Sequence, residues 1–467
     1  MKRKVQPVGR WLASGDGGIV ARCGEEELSR RQWQQQIRSL GHRLLAHPGE
    51  RWALCFDDSY LFSVALLAAL HAGKTPVIPG HCRESLLQEQ AGEFDAMLCD
   101  QLLAPGCPVW QIGGAEASQR ADLSAPDLRP ALSGEGIGAD DVPLPAIPDE
   151  ACVVLFTSGS TGQPRQIIKP VCCLDEEARW LAELWGDRLQ DCTFIASVSH
   201  QHLYGLTFRI ILPLALGQPF DSRQVFYSEQ LSARQNGLRY AFISSPAFLR
   251  RLDLTLPAPD CQLIVSAGGP LSWQHAQGVE AWLKQPVDEI YGSTETGVLA
   301  TRSRKAEEVL WQPFSQVGFS QDEPQRWRVC SPLIPEVEGL LLDDKLAFTA
   351  EGFQLCGRHD RTVKVEDKRV SLSEIERRLL ALPQVKDAAA LSVTRPERSG
   401  IGVVLVLDKP YSEAALARLK REWRHELHRW LEPVAMPRYW RVVDSIPQNS
   451  QSKRAWPQIQ ELFHAAR

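Results

Sequence analysis

The sequence predicts an α/β fold: a large N-terminal domain of mixed, largely parallel sheets flanked by helices, followed by a small, mobile C-terminal α+β domain. Short apolar segments of strand length alternate with a helical pattern near the N-terminus, and this alternation resumes from 151 to about 300. Such an order is typical of βαβ units and a largely parallel sheet. After Gly357 the pattern changes to strand-like segments that alternate with two helices, which predicts the second domain.

Four segments of the first domain are predicted as short buried strands, at 52–56, 76–79, 95–100 and 151–156. The pattern from Ser59 to Ala72 predicts a helix between the first two strands. Its apolar stretch, Leu61 to Leu70, is far shorter than the roughly 20 residues that span a bilayer, so we interpret it as a buried helix and expect no membrane span. Residues 122–150 are rich in Pro, Gly, Ser and Asp and predict a loop or linker.

The second domain is expected to contain strands at 385–393 and 400–407. One helix is predicted after Ser373, a plausible N-cap, and another from Ser412 to about Trp430. We expect the large domain to cover 1–359 and the small domain 360–467.

The charge distribution supports this boundary. Residues 361–467 carry 20 Lys and Arg against 13 Asp and Glu, a net charge of +7, whereas residues 1–360 carry a net charge of −12. This split is explained either by solvated helix faces or by an acidic or phosphate-bearing partner of the small domain. The basic domain has no signature of a nucleic-acid-binding module, so we expect no nucleic acid partner.

The composition is that of an ordinary globular protein, with 467 residues, 44% hydrophobic and 23% charged. The 12 cysteines show no paired Cys/His spacing, which argues against zinc and for free thiols in a reducing compartment. The basic N-terminus is not followed by the apolar stretch of a signal peptide. A cytoplasmic location is therefore expected.

A Ser/Thr/Gly-rich loop is the most informative stretch of the chain. An apolar strand leads into Thr157, Ser158, Gly159, Ser160, Thr161 and Gly162. Glycines let backbone N–H groups approach an anion closely and the hydroxyls add donors, so this loop predicts a polyphosphate cradle. It is not a Walker A loop, because no Lys precedes the last hydroxyl. The full string through Arg165, where Lys is usual, resembles the signature of the adenylate-forming superfamily, which contains acyl-CoA synthetases, aryl-acid ligases, firefly-type luciferases and peptide-synthetase adenylation domains.

Two further segments resemble that superfamily in the same order. The segment 264–271, with Gly268 and Gly269, is similar to the strand and turn that flank the adenine. The segment 291–297 (YGSTETG) is similar to the YGxTE motif. The resemblance implies that Tyr291 and Gly292 lie at the adenine, that Thr294 contacts the α-phosphate and that Glu295 helps to hold Mg²⁺.

The segment 357–364 resembles the GRxDxxxK junction between the two domains of the superfamily. The resemblance implies that Arg358 contacts the ribose and that Asp360 is the hinge. It also implies a ribose-binding carboxylate at Asp344, with Asp343 as the alternative register.

Near the C-terminus, residues 446–453 resemble the terminal loop whose Lys enters the active site, although Ser452 replaces the usual Gly. The resemblance makes Lys453 a catalytic residue. A cation between the substrate carboxylate and the α-phosphate lowers their repulsion and stabilises the transition state.

The segment 199–206 (SHQHLYGL) resembles the superfamily's acyl-pocket segment. The resemblance implies that His202 borders the pocket and gates it, with His200 as the alternative register and an ordinary hydrogen-bonded histidine as a third reading. Residues 242–248 are expected to form another wall of the pocket.

The resemblance implies an ATP-dependent acid–thiol ligase that forms an acyl-AMP from a small carboxylic acid, with Mg²⁺ and with CoA or a phosphopantetheine thiol as acceptor. Asp367 replaces a Gly that usually lines the CoA tunnel. Together with the basic small domain, this favours an acidic acyl carrier protein as partner. Residues 174–185 are also similar to ligases of bacterial aryl-polyene pigment clusters. The alternatives are a non-catalytic nucleotide- or acyl-binding protein and an enzyme that adenylates but transfers to a non-thiol acceptor.

Overall fold

The computed structural model describes ten stretches of the chain: 5–15, 17–112, 142–158, 164–323, 326–358, 362–365, 368–394, 399–431, 433–449 and 453–464. The chain forms two compact units, one of Met1–Gly318 with Val329–Leu340 and one of Phe319–Arg328 with Leu341–Arg467. The predicted α/β fold with a large N-terminal and a small C-terminal part is confirmed. The border at 359/360 and the hinge at Asp360 stay predictions; that border lies inside the second compact unit, and Asp360 is outside the described residues.

The first sheet of the large unit has six strands: β3 (Arg51–Cys55), β4 (Thr75–Ile78), β5 (Ala96–Cys99), β6 (Val109–Gln111), β7 (Cys152–Ser158) and β8 (Pro164–Pro170). Their order is β6-β5-β3-β4-β7-β8, and all neighbours are parallel except β7 and β8. The four strands predicted from the sequence are β3, β4, β5 and β7, and their existence is confirmed. Of the predicted linker, 113–141 lies outside the described residues, and 142–150 contains no strand or helix.

The second sheet has nine strands: β1 (Ile19–Cys23), β2 (Glu26–Ser29), β9 (Cys192–Ala196), β10 (Phe220–Asp221), β11 (Arg239–Ser244), β12 (Cys261–Ala267), β13 (Val287–Ser293), β14 (Gly297–Ser303) and β15 (Gln312–Pro313). The order is β15-β14-β13-β12-β11-β9-β10-β1-β2. Strands β9, β11, β12 and β13 are parallel neighbours. The loops that follow these four strands therefore leave the sheet at one edge.

In its described residues, the large unit contains the helices α1 (Arg30–Leu45), α2 (Ser59–His71), α3 (Glu84–Glu89), α4 (Val171–Trp185), α5 (Leu203–Gly205), α6 (Leu212–Leu216), α7 (Ser228–Ser232), α8 (Pro246–Leu249) and α9 (Trp273–Leu283). A π-helical stretch, Leu206–Ile211, joins α5 to α6. Helix α2 is capped by the Asp58 carboxylate, which accepts hydrogen bonds from two backbone N–H groups of the first turn. Nearly all of its residues are buried, as predicted for a buried helix.

Strands β16 (Gly318–Glu323), β17 (Arg326–Cys330) and β18 (Leu340–Leu341) lie where the chain passes between the units. The small unit contains β19 (Asp344–Thr349), β20 (Gly352–Arg358), β21 (Thr362–Val365), β22 (Lys368–Ser371), β23 (Val385–Thr394), β24 (Ser399–Leu407), β25 (Pro437–Val442), α10 (Leu372–Leu380), α11 (Glu413–Leu427) and α12 (Trp456–His464). Its main core packs α10 and α11 against β23, β24 and β25 around Trp423 and Trp440.

One N-cap prediction was wrong. Helix α10 begins at Leu372 and is capped by Ser371, whose hydroxyl accepts a hydrogen bond from the Glu374 N–H at 3.2 Å. Ser373 lies inside the first turn. The helix predicted from Ser412 to about Trp430 is α11, which begins at Glu413 and ends at Leu427; Ser412 is its N-cap, through a 3.3 Å bond from the Ala415 N–H.

All twelve cysteines are free thiols. Among the described residues, no helix is long and apolar enough to cross a membrane.

Candidate active site

The loops after four parallel strands bring several predicted site segments to one edge of the nine-stranded sheet. Segment 199–206 follows β9, helix α8 follows β11, Gly268 and Gly269 follow β12, and the turn 294–296 follows β13. Ligands of open α/β sheets bind outside the carboxyl ends of the strands. This edge is therefore the candidate active site of the large unit.

The turn between β13 and β14 has a backbone shape that a side chain would disrupt. A β-bulge lies between Tyr291 and Gly292. A Cβ atom on Gly292 would lie 2.1 Å from the carbonyl oxygen of Gly297, which itself has a positive φ of 69°. The Ser293 N–H donates to the Thr296 hydroxyl at 3.0 Å, and the Thr296 N–H donates to the Ser293 hydroxyl at 3.2 Å. These contacts fix the turn that carries Thr294 and Glu295.

Thr294 and Glu295 are both half-buried at the tip of this turn. A hydroxyl donor beside a carboxylate suits a phosphate with a bound divalent cation, because Mg²⁺ takes hard oxygen ligands from one or two carboxylates and from the phosphates themselves. Tyr291 is half-buried at the start of the turn, and its ring centroid lies 5.9 Å from that of Trp311. The residues present therefore fit a magnesium nucleotide.

Two buried charged residues behind the turn were missed by sequence reasoning. Lys169, on β8, is 2% exposed, and its ammonium donates to the carbonyl oxygens of Glu295 at 3.1 Å and Leu333 at 3.2 Å. Glu177, on α4, is 3% exposed. Its carboxylate accepts from the Val298 N–H at 2.8 Å and from the Thr207 hydroxyl at 2.6 Å. The sequence offered one indication, a lysine that follows two isoleucines in β8. This pattern does not show which residues the lysine would contact.

Burial shifts both groups toward their neutral forms. Burial lowers the pKa of Lys169, and the attraction of Glu177 opposes that shift. Burial likewise raises the pKa of Glu177, opposed by the hydrogen bond from Thr207 and by the charge of Lys169. Each charge thus partly offsets the desolvation cost of the other.

The predicted acyl-pocket segment is fixed to the neighbouring strand ends. The Tyr204 hydroxyl lies 3.0 Å from the carbonyl oxygen of Ser244 and 3.2 Å from that of Val265. A Cβ atom on Gly205 would lie 1.9 Å from the carbonyl oxygen of Ser199, so only glycine fits this backbone. The segment therefore packs on the ends of β11 and β12, beside the predicted second wall of the pocket.

The structure distinguishes the two histidines of this segment. His200 is 1% exposed, and its Nε2 donates to the Phe56 carbonyl oxygen at 3.0 Å. Its Nδ1 then accepts from the Ser59 hydroxyl at 2.9 Å. Burial lowers the pKa of His200 well below its usual value, so it is a neutral core histidine. His202 is half-buried and directly precedes α5, and it stays the predicted gate residue.

The predicted phosphate loop joins β7 to β8. These strands pair antiparallel up to Ser158 and Pro164. Thr157 is half-buried, and its hydroxyl donates to the Arg165 carbonyl oxygen at 3.4 Å. Gly159, Ser160, Thr161 and Gly162 lie outside the described residues, as does the side chain of Ser158. The phosphate-cradle role of these residues stays a prediction.

In the small unit, the two residues predicted to contact the ribose occupy opposite positions on paired strands. Asp344 on β19 lies opposite Arg358 on β20. Asp344 is half-buried, whereas Asp343 is exposed and precedes the strand. The side chain of Arg358 is outside the described residues.

Lys453 lies in the small unit at the end of a turn. Its N–H donates to the Asn449 side-chain oxygen at 2.9 Å, and the Asn449 N–H donates to the Lys453 carbonyl oxygen at 2.7 Å. Lys453 is exposed, and the next residue, Arg454, pairs with Asp387 at 2.8 Å. Ser452 lies outside the described residues. Contacts of the backbone and of the Asn449 side chain thus hold Lys453 in place along the chain.

Comparison with known proteins identifies the class. The sequence profile of AMP-binding enzymes matches residues 11–350, which is more than half of the chain. The chain belongs to the AMP-binding enzyme family.

Individual relatives agree with this class. The chain is 24% identical over 522 residues to the 3-hydroxybenzoate–CoA/4-hydroxybenzoate–CoA ligase of Thauera aromatica, which covers 98% of this chain and 96% of the ligase. It is 25% identical over 506 residues to nonribosomal peptide synthetase 8 of Aspergillus fumigatus, covering 92% of this chain but only 6% of that synthetase. The crystal structure of ATP-bound MatB from Rhodopseudomonas palustris has the same fold, with a TM-score of 0.78, 18% identity and 99% of both chains covered.

Proposed function

We propose that this enzyme activates an aromatic or other acyl carboxylic acid as its acyl-AMP and passes the acyl group to a phosphopantetheine thiol of a carrier protein, with CoA as the alternative acceptor. The observation that carries the first half of the proposal is the fixed turn of 291–297, which presents a threonine hydroxyl and a carboxylate at the carboxyl edge of a parallel sheet. The weaker resemblance to aryl-polyene ligases and the hydroxybenzoate ligase among the relatives favour an aromatic acid.

In the first half-reaction, a carboxylate oxygen of the acid bonds to the α-phosphorus of ATP. The bond between that phosphorus and the bridging oxygen breaks, and pyrophosphate leaves with the electron pair. Thr294 donates a hydrogen bond to the α-phosphate. Glu295 would hold Mg²⁺ through its carboxylate, and the bound metal would neutralise charge on the phosphates. The resemblance assigns to Lys453 the cation that lowers the repulsion between the two reacting anions.

In the second half-reaction, the thiol releases its proton to solvent and its sulfur bonds to the acyl carbon. The bond between that carbon and the phosphate oxygen breaks, and AMP leaves with the electron pair. The resemblance assigns His202 to the border of the acyl pocket, where it would move when the thiol enters. Gly268 and Gly269, both exposed after β12, leave space beside this pocket.

A basic stripe on α11 supports a carrier protein as the thiol donor. Arg421, Arg424 and His428 are exposed and spaced three and four residues apart, so they share one face of the helix and its end. Trp430 is 52% exposed just beyond it, with the guanidinium of Arg378 4.2 Å from its ring centroid. An acidic partner would meet complementary charge here, which raises its association rate.

Acid-dependent ATP–pyrophosphate exchange tests the first half of the proposal. We expect exchange with members of one acid class in a panel of benzoic, cinnamic-type and fatty acids, because only a fitting acid forms the acyl-AMP. Exchange that does not depend on any added acid, or the absence of exchange with every acid of the panel, would contradict the proposal. Exchange without transfer to any thiol would instead support a non-thiol acceptor.

The acceptor is tested by comparing transfer to CoA and to an acidic holo carrier protein. The double variant Arg421→Glu/Arg424→Glu is expected to lower the carrier-dependent rate about 10-fold relative to the CoA-dependent rate at low salt, with a smaller difference at high salt because exposed charges are screened. The double variant Arg10→Glu/Arg223→Glu makes the same change of charge on exposed arginines of the large unit and serves as the control. A clear preference of the wild type for CoA would contradict the carrier proposal.

A further inference from the structure

We infer that Lys169 and Glu177 are positioning residues that clamp the backbone of the turn between β13 and β14 at Glu295 and at Val298, and so set where Thr294 and Glu295 meet the nucleotide. This inference rests on the proposed function, because it gives the turn its role in binding ATP. Neither residue is part of the segments that the sequence resemblance assigns to the site.

One contact holds the tip of the turn, and the other holds the strand that follows it. Lys169 holds the backbone carbonyl of Glu295, the residue whose carboxylate faces the metal in the proposal, at 3.1 Å. Glu177 holds the backbone N–H of Val298, the second residue of β14, at 2.8 Å. Between these anchors lie only Thr296 and Gly297. Rotation of the tip about its flanking strands would therefore break at least one charge-assisted hydrogen bond.

Each anchor is itself held by a second element. The Lys169 ammonium also donates to the Leu333 carbonyl oxygen at 3.2 Å. The second carboxylate oxygen of Glu177 accepts from Thr207 at 2.6 Å, in the π-helical stretch that follows the predicted acyl-pocket segment. The clamp thus connects the nucleotide turn to β8 on one side and to the acyl-pocket segment on the other.

The burial pattern of β8 argues against a merely structural role. Ile168 is 60% exposed while the adjacent Lys169 is 2% exposed, which reverses the arrangement that hydrophobic burial favours. Taking a charged group out of water has a large free-energy cost, which its attraction to other groups offsets only when the geometry is good. Because β8 exposes an isoleucine and buries a lysine, we infer that the buried lysine contributes a defined position of the turn rather than stability.

The test compares Lys169→Met and Glu177→Leu with the wild type. Loss of a residue that orients a ligand-binding group typically lowers affinity or activity about 10- to 100-fold. We therefore expect the KM for ATP to rise about 10- to 100-fold in both variants, with little change in the KM for the acid. Calorimetric titration with ATP and Mg²⁺ in the absence of acid should show the same loss of affinity. Glu177→Gln should recover most of the affinity lost in Glu177→Leu, because its amide oxygen still accepts from the Val298 N–H.

Leu181→Ala is the matched control, because Leu181 is fully buried on the same helix as Glu177 and has no role at the turn. It is expected to lower the unfolding temperature without raising the KM for ATP.

The inference is overturned if Lys169→Met and Glu177→Leu keep wild-type affinity for ATP, or if Leu181→Ala reproduces their effect. If Lys169→Met does not fold, the comparison of Glu177→Leu with Glu177→Gln decides. A wild type that binds ATP but catalyses no exchange would refute the proposed function alone, and the calorimetric comparison would still decide the inference.

Discussion

Replacing Lys453 with alanine is expected to lower acid-dependent ATP–pyrophosphate exchange about 100- to 1,000-fold, the loss typical of removing one donor from a developing oxyanion. The lysine side chain is exposed in the small unit, and the turn around it is held by backbone and Asn449 contacts that alanine keeps. The unfolding temperature should therefore stay unchanged. Exchange rates at saturating ATP and acid, together with thermal unfolding, are the measurements.

Lys409→Ala is the matched control, because Lys409 is also exposed in the small unit and lies outside every predicted site segment. It should keep the wild-type exchange rate. Lys453→Arg should recover only part of the activity, since it keeps the charge but not the compact ammonium. If Lys453→Ala retains more than about a tenth of the wild-type rate, a loss under 1.4 kcal/mol, Lys453 is not the cation that the proposal needs.

The local sequence was enough to predict the buried strands of the first sheet but not the position of every helix end. The strands at 52–56, 76–79, 95–100 and 151–156 were found because buried strands of a parallel sheet are continuous apolar runs. The cap of α10 was misplaced because Ser371 and Ser373 both precede Glu374. Only Ser371 stands three residues before it, the spacing at which its hydroxyl accepts the Glu374 N–H.

The site shows a similar limit. Segments that bind through their own backbone, such as 291–297, can be read from sequence because the glycines and hydroxyls that shape them are adjacent in the chain. Lys169 and Glu177 reach that turn from positions more than 120 residues away, at separations of 126 and 121 residues. The two histidines of segment 199–206 were equivalent by register, and burial among Phe56 and Ser59 separates them.

Gly292→Ala tests whether ATP–pyrophosphate exchange requires the backbone shape of the turn and not only the residues Thr294 and Glu295 in it. Alanine would place a Cβ atom 2.1 Å from the Gly297 carbonyl oxygen, and this clash is with backbone that cannot rotate away. The hairpin must open, which we expect to cost about 1–3 kcal/mol of unfolding free energy. A shift of about 1 Å at Thr294 and Glu295 is also expected to lower exchange about 100-fold.

Variants of two other glycines separate the effect of a steric clash from that of backbone strain. Gly318 has no heavy atom within 4 Å of a built Cβ, so Gly318→Ala should leave both stability and exchange near the wild type. Gly268 also has open space but a positive φ of 89°, so Gly268→Ala should show the cost of backbone strain without a clash, about 1 kcal/mol. Exchange and denaturant unfolding of all three variants are the measurements. If Gly292→Ala behaves like Gly318→Ala, the tight approach of β13 and β14 at this bulge does not shape the nucleotide site, and the clamp formed by Lys169 and Glu177 loses the rigid turn on which it acts.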